Sequence, residues 1–328
     1  MEATRIAPHA GPPPPRSASA RAGWPAGELA GPFDLTDTPA WRRWRAAKLA
    51  ARPTRLADLI VDVADVAAPT AAERVALAAV LARANMAIYR MASLGEAEAR
   101  RSVGAFARAV GLTRFERHRS AGADGIVAIR VTDAPRQAGF IPYSPRPLGW
   151  HTDGYYAWEG PGAAIQSMVL HCVRAAPEGG VNALLDPEIA YVRLRDRDPA
   201  LVAALMRPDA MTIPPCVEED GTVRGETTGP VFFVDPATGR LGMRYTARKR
   251  HVIWHDDPAT RAAVEALVEI TADDPAIFRL RLDPGMGLLA DNVLHDRSGF
   301  TDAEDPATGR LLLRIRSYDR IALPRSEI

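Results

Sequence analysis

Two residues near the middle of the chain have the types and spacing that hold a metal. His151 and Asp153, in Gly149-Trp150-His151-Thr152-Asp153-Gly154-Tyr155-Tyr156, lie two apart. On an extended strand both side chains leave the same face. An imidazole nitrogen and a carboxylate oxygen then point at one spot. A second imidazole, from His295 in Asp291-Asn292-Val293-Leu294-His295-Asp296-Arg297, completes a 2-His-1-carboxylate set. Such a facial triad suits Fe(II) and leaves three coordination positions open. Taken alone, His-x-Asp is a weak signal in a chain with 7 His and 40 acidic residues, so the surrounding sequence has to carry the reading. The competing readings are a buried structural His151, an Asp153 that caps the Gly154 turn, and a His295 on a surface loop.

These residues can meet only if the chain builds a core that joins distant strands. At 328 residues with 47% hydrophobic and 25% charged, the sequence is that of a globular protein. A net charge of +1 gives no reason to expect nucleic acid or an anionic membrane as partner. No apolar run approaches membrane-spanning length. Two cysteines, Cys172 and Cys216, make no disulfide framework and suit a reducing cytoplasm.

Residues 1–33, rich in Ala, Pro, Gly and Arg, read as a flexible tail. Residues 34–135 read as a helical and strand elaboration. Thr38-Pro39 begins a helix, Leu56 to Val63 a short strand, and the capping box Thr70-x-x-Glu73 a long helix to about Met91. Ser93-x-x-Glu96 opens another helix that stops before Gly111, and Gly125 to Thr132 is strand-like. Residues 136–328 change texture to short strands with Gly/Pro punctuation. Strands are expected at Ala164 to Cys172, Val181 to Leu185 and Leu311 to Tyr318, with helices starting at Asp186-Pro187, Asp198-Pro199 and Asp257-Pro258. Two hairpins are expected, one across 231–245 and one across 277–290. The hexapeptide Asp-Pro-Ala-Thr-Gly-Arg occurs at 235–240 and again at 305–310, which reads as reused turn chemistry. The fold class implied is α+β, with a sandwich or barrel of short strands.

Several runs in order resemble the taurine dioxygenase / 2,4-D dioxygenase (TauD/TfdA-like) superfamily, which includes γ-butyrobetaine hydroxylase. They are Leu148 to Tyr156, Ile165 to Cys172, Gly179 to Asp186, His295 to Phe300, and Gly309 to Arg314. The resemblance implies a double-stranded β-helix (jelly roll) with helical elaborations. It also implies an Fe(II)/2-oxoglutarate-dependent dioxygenase that uses O2 and releases succinate and CO2. His151, Asp153 and His295 would then be the iron ligands.

A planar guanidinium is the natural partner for the far carboxylate of 2-oxoglutarate. The resemblance puts that arginine on the strand after His295. Arg310 is favoured as the anchor and Arg314 as nearer the substrate, with the choice between them open; both share a strand face with Arg316. Asn182 stands where the family has a hydroxyl residue that touches the same carboxylate. Trp150, Tyr155 and Tyr156 crowd the iron motif as substrate-side aromatics, or else as core. Arg248-Lys249-Arg250 is a solvated face or the lip of a pocket for an anionic or zwitterionic metabolite. His171 reads as structural, and His251 and His255 as surface. A homodimer is the default assembly. Two other classes remain: a jelly-roll binding protein without catalysis, and a cupin-type isomerase or hydrolase.

Overall fold

The structure, a computed structural model, describes residues 31–323 apart from 118–119, 135–136, 138–139, 218–222 and 249–251. Two sheets face one another. The larger runs β1 (Ile60–Asp62), β2 (Met86–Arg90), Met286–Ala290, β5 (Ser167–Arg174), Leu311–Ser317 and β3 (Val127–Ile129). The smaller runs Phe278–Leu280, Asn182–Leu185, Leu294–Arg297 and β4 (Leu148–His151). Only the β1–β2 pair is parallel within these two sheets. Between the sheets lie Leu170, Cys172, Leu184, Phe278, Leu280, Leu288 and Leu312, part of one apolar cluster.

Helices cover both outer faces. α2 (Ala71–Ala84) and α3 (Glu96–Ala109) lie on the larger sheet, with Phe106 edge-on to Tyr89 at 4.9 Å. α4 (Pro187–Arg197), α5 (Pro199–Leu205) and α6 (Pro258–Asp273) pack outside the smaller sheet in a second cluster with Leu185 and Leu294. Both faces of β5 are therefore covered, which is why it reads as an unbroken apolar run. The architecture is a double-stranded β-helix with helical elaborations. β1, β2 and β3, all before residue 136, sit in the larger sheet.

Local cap chemistry sets the helix starts. Asp186, Asp198 and Asp257 each accept a backbone N–H of the first turn, with Pro next in line. Thr70 and Glu73 form the reciprocal box at α2. Elsewhere the elements depart from expectation. α1 (Thr38–Ala51) is capped by Asp37 instead of Thr38, and α3 by Gly95 instead of Ser93. The Leu56 to Val63 stretch splits into a 3-10 turn (Leu56–Leu59) and β1. α2 ends at Ala84, where Asn85 takes a left-handed conformation with φ 56°, and the apolar residues after it form β2.

The stretch 277–290 is not a hairpin. Phe278–Leu280 pairs with Asn182–Leu185 in the smaller sheet, whereas Met286–Ala290 lies between β2 and β5 in the larger one. The Asp283–Gly285 turn therefore carries the chain across the sandwich. The tail expectation for residues 1–30 falls outside the described residues, but its boundary at 33 moves. Phe33 is buried, edge-on to Trp44 at 5.0 Å and Tyr191 at 5.5 Å.

Candidate metal centre

His151 ends β4 directly opposite His295 on the Leu294–Arg297 strand, with ring centroids 4.2 Å apart. Cross-strand partners on one face are the closest pairs a sheet offers. Asp153 lies just beyond the end of β4. One ligand atom each from His151, Asp153 and His295 fall within 4.8 Å of one another.

The tautomers follow from the backbone. His151 Nδ1 is 2.9 Å from the Gly149 carbonyl, and His295 Nδ1 is 2.9 Å from the Val293 carbonyl. A carbonyl only accepts, so each Nδ1 carries the proton and each Nε2 lone pair is left for a cation. Burial, with His295 beside it, pushes His151 down to about 3, so the neutral form a ligand needs persists at ordinary pH. Burial alone would raise Asp153, but Arg314 and Arg316 beside it hold the carboxyl well below the usual range. Oδ1 takes Arg314 Nη1 at 3.4 Å and Arg316 Nη1 at 3.2 Å, while Oδ2 is buried with no hydrogen-bond partner. Two imidazole nitrogens and an orphaned carboxylate oxygen fit a divalent cation that prefers mixed N/O ligands.

The turn that carries Asp153 is pinned by two residues. Asn292, in a left-handed conformation with φ 46°, accepts from Asp153 N at 2.8 Å and donates to the Asp153 and Ile165 carbonyls at 3.0 and 2.8 Å. Gly154 has φ 71°, and a Cβ there would meet Ile165 Cγ1 at 2.5 Å. Asn292 carried no role in the sequence reading. An Asn three residues before His295 is the sole local hint, and it is too common to weigh.

Arg310 is buried and its guanidinium lies 4.9 Å over the Phe300 ring in no ion pair among the described residues, while its backbone N–H donates to Asp302 Oδ1 at 2.7 Å. With Asn182, Arg281, Cys172, Gly180 and Leu312 it lines a pocket of about 220 Å³ that is partly open to solvent. Asn182 pairs with Arg297 two rows from the Leu184–His295 pair, so it sits on the metal-bearing face of the sheet. Arg314 is also buried, and its Nε has no hydrogen-bond partner.

The aromatics divide. Tyr155 stands edge-on to the His151 ring at 6.4 Å. Tyr156 is tied through its hydroxyl to Arg316 and Glu116, and Trp150 packs against the second core cluster. His171 lies on the other face of the larger sheet, its Nδ1 3.0 Å from Tyr89 Oη. His255 sits between Asp209 and Asp257. His251, Lys249 and Arg250 fall outside the described residues. Among the described residues no helix is long and apolar enough to cross a membrane.

The chain matches the profile of the taurine catabolism dioxygenase TauD, TfdA family over residues 50–316. A curated uridine-5'-phosphate dioxygenase from Amycolatopsis sp is 32% identical over 165 residues, which cover 48% of this chain and 56% of that protein. The chain thus spans little more than half the length of this relative. A solved non-heme iron oxygenase, OrfP, in complex with Fe, succinate and a dihydroxy-arginine, aligns with a TM-score of 0.54 at 16% identity, covering 75% of this chain and 83% of that one. An asparagine oxygenase with Fe(II), 3-hydroxyasparagine and succinate aligns with a TM-score of 0.50 at 17% identity over 89% and 87%. At these identities the likeness to the solved structures concerns the fold.

Proposed function

Because the chain belongs to the taurine catabolism dioxygenase TauD/TfdA family, we propose that it is an Fe(II)/2-oxoglutarate-dependent dioxygenase that hydroxylates a small anionic or zwitterionic metabolite. The observation that carries this is the buried His151–Asp153–His295 cluster with Asp153 Oδ2 unpartnered. Iron, when bound with 2-oxoglutarate, would use O2 as the oxidant for an unactivated C–H bond, one oxygen atom going to the product and one to succinate, with CO2 released. The chain's own contribution is binding, orientation and shielding.

His151 and His295 hold the metal through Nε2, and Asp153 through Oδ2. Arg310 offers a guanidinium that is in no ion pair among the described residues to the far carboxylate of 2-oxoglutarate, with the Asn182 amide beside it. Arg314, with a spare Nε next to the metal set, faces the substrate's negative charge. Tyr155 walls the site against His151. The relative named for uridine-5'-phosphate supports a nucleoside monophosphate as the first substrate to try. Buried Cys172 and exposed Cys216, both free, support a reducing cytoplasm. We place the protein there, acting on a small molecule without nucleic acid, membrane or obligatory partner, as a monomer or homodimer.

The test is succinate release from 2-oxoglutarate under Fe(II) and O2, with nucleoside monophosphates, sulfonates, amino acids and trimethylammonium compounds offered in turn. One class should raise succinate well above the substrate-free rate, with product gaining one oxygen atom. No Fe(II)-dependent succinate with or without any of them would defeat the proposal.

A further inference from the structure

The two oxygens of Asp153 have unlike surroundings. Oδ2 is bare, whereas Oδ1 faces two guanidinium groups, and these differ in how firmly they are held. Arg314 has an unpartnered Nε. Arg316 is gripped at its other end: Nη2 donates to Tyr156 Oη at 2.8 Å and pairs with Glu116 Oε2, and the Tyr156 hydroxyl donates to Glu116 Oε1 at 3.2 Å. Glu116 is fixed in turn by the backbone, its N–H reaching the Arg316 carbonyl at 2.9 Å beside the Phe115–Ser317 bridge. Side-chain exposure is 5% for Arg316, 13% for Glu116 and 3% for Asp153. Two carboxylates and two guanidiniums balance in charge within this buried group.

A carboxylate that binds a metal through both oxygens takes two coordination positions. With two imidazoles already bound, only two positions would then remain, and a chelating 2-oxo acid fills both, leaving none for O2. We infer that Arg316, braced by Glu116 and Tyr156, is a positioning residue that occupies Asp153 Oδ1 and so keeps Asp153 a one-oxygen ligand. This rests on the metal triad proposed above. Arg316 Nη1 and Nη2 both meet protein acceptors, so Arg314 keeps the substrate's charge.

The test loads Fe(II) and 2-oxoglutarate without O2 and then admits O2. Chelation of the 2-oxo acid to Fe(II) is followed by its charge-transfer absorption, and Fe(II) affinity by competition with a chromophoric chelator. The double variant Glu116→Gln/Arg316→Met removes one charge of each sign, so no buried ion is left alone. It should keep Fe(II) and 2-oxoglutarate affinity within about threefold, while the charge-transfer absorption decays about tenfold more slowly once O2 is admitted, because Asp153 then takes the position O2 needs. A merely structural pair would lower both affinities together with the melting temperature, and that result overturns the inference, as does an unchanged rate of decay under O2. If the double variant does not fold, Glu116→Gln carries the test in the same direction with a smaller change. Failure of the triad itself shows separately, as wild-type protein that binds no Fe(II).

Discussion

The same six residues, Asp-Pro-Ala-Thr-Gly-Arg, end at Arg240 and at Arg310, and the two arginines meet opposite surroundings. At 235–240 the run forms the turn between Phe232–Val234 and Leu241–Met243, and Arg240 closes on Asp291 at 2.6 Å and on Asn85 Oδ1 at 2.9 Å. At 305–310 the run leads into the Leu311–Ser317 strand, and Arg310 lines a pocket with Asn182, its guanidinium over the face of Phe300 and in no ion pair among the described residues, while Asp302 takes its backbone N–H. One guanidinium is spent inside the fold, and the other is kept in reserve. A local sequence fixes a turn. Whether its last side chain serves the scaffold or a ligand depends on which strand, far along the chain, brings a carboxylate to it.

That difference predicts a graded set of effects. Arg310→Ala leaves the buried carboxylate of 2-oxoglutarate without its partner, a loss of a few kcal/mol. The apparent constant for 2-oxoglutarate should rise about 100-fold, with little change in melting temperature. Arg314→Ala should leave that constant near normal and instead uncouple the reaction, lowering the ratio of hydroxylated product to succinate. The reverse pattern would make Arg314 the cofactor anchor and turn Arg310 into a second Arg240. Arg240→Ala removes the ion pair of the buried Asp291 side chain, leaving it the Ser167 hydroxyl at 3.3 Å, and should cost about 2 kcal/mol in a denaturant titration. Its 2-oxoglutarate constant should stay put; a large change would erase the contrast. Arg310→Lys keeps the charge and loses the planar fork, so a rise of about tenfold is expected, the smallest of the four.

The comparison also marks what the sequence made legible. Asp186-Pro187, Asp198-Pro199, Asp257-Pro258 and the Thr70–Glu73 box are local chemistry, and the helices start there. The metal-ligand cluster was legible because His151 and Asp153 are two apart and His295 sits in a run that carries a family likeness. β2 was not: its fully buried Met86 to Tyr89 continues the apolar texture of α2, and only a left-handed Asn85 separates them. The crossing at 283–285 looked like a hairpin because turn residues signal a reversal and say nothing of which sheet each flank joins. Glu116, Arg316 and Asn292 gain their roles from contacts to residues far along the chain, 139 positions for Asn292 and Asp153 and 163 for Arg316 and Asp153. No spacing rule reaches that far.

The central claim is that His151, Asp153 and His295 together hold iron. The direct measurement is anaerobic Fe(II) stoichiometry by metal analysis after gel filtration, on the wild-type chain and on His295→Ala, with circular dichroism to check that the variant is folded. The account predicts one Fe(II) retained per wild-type chain and essentially none in the folded variant. Equal iron in both would contradict it.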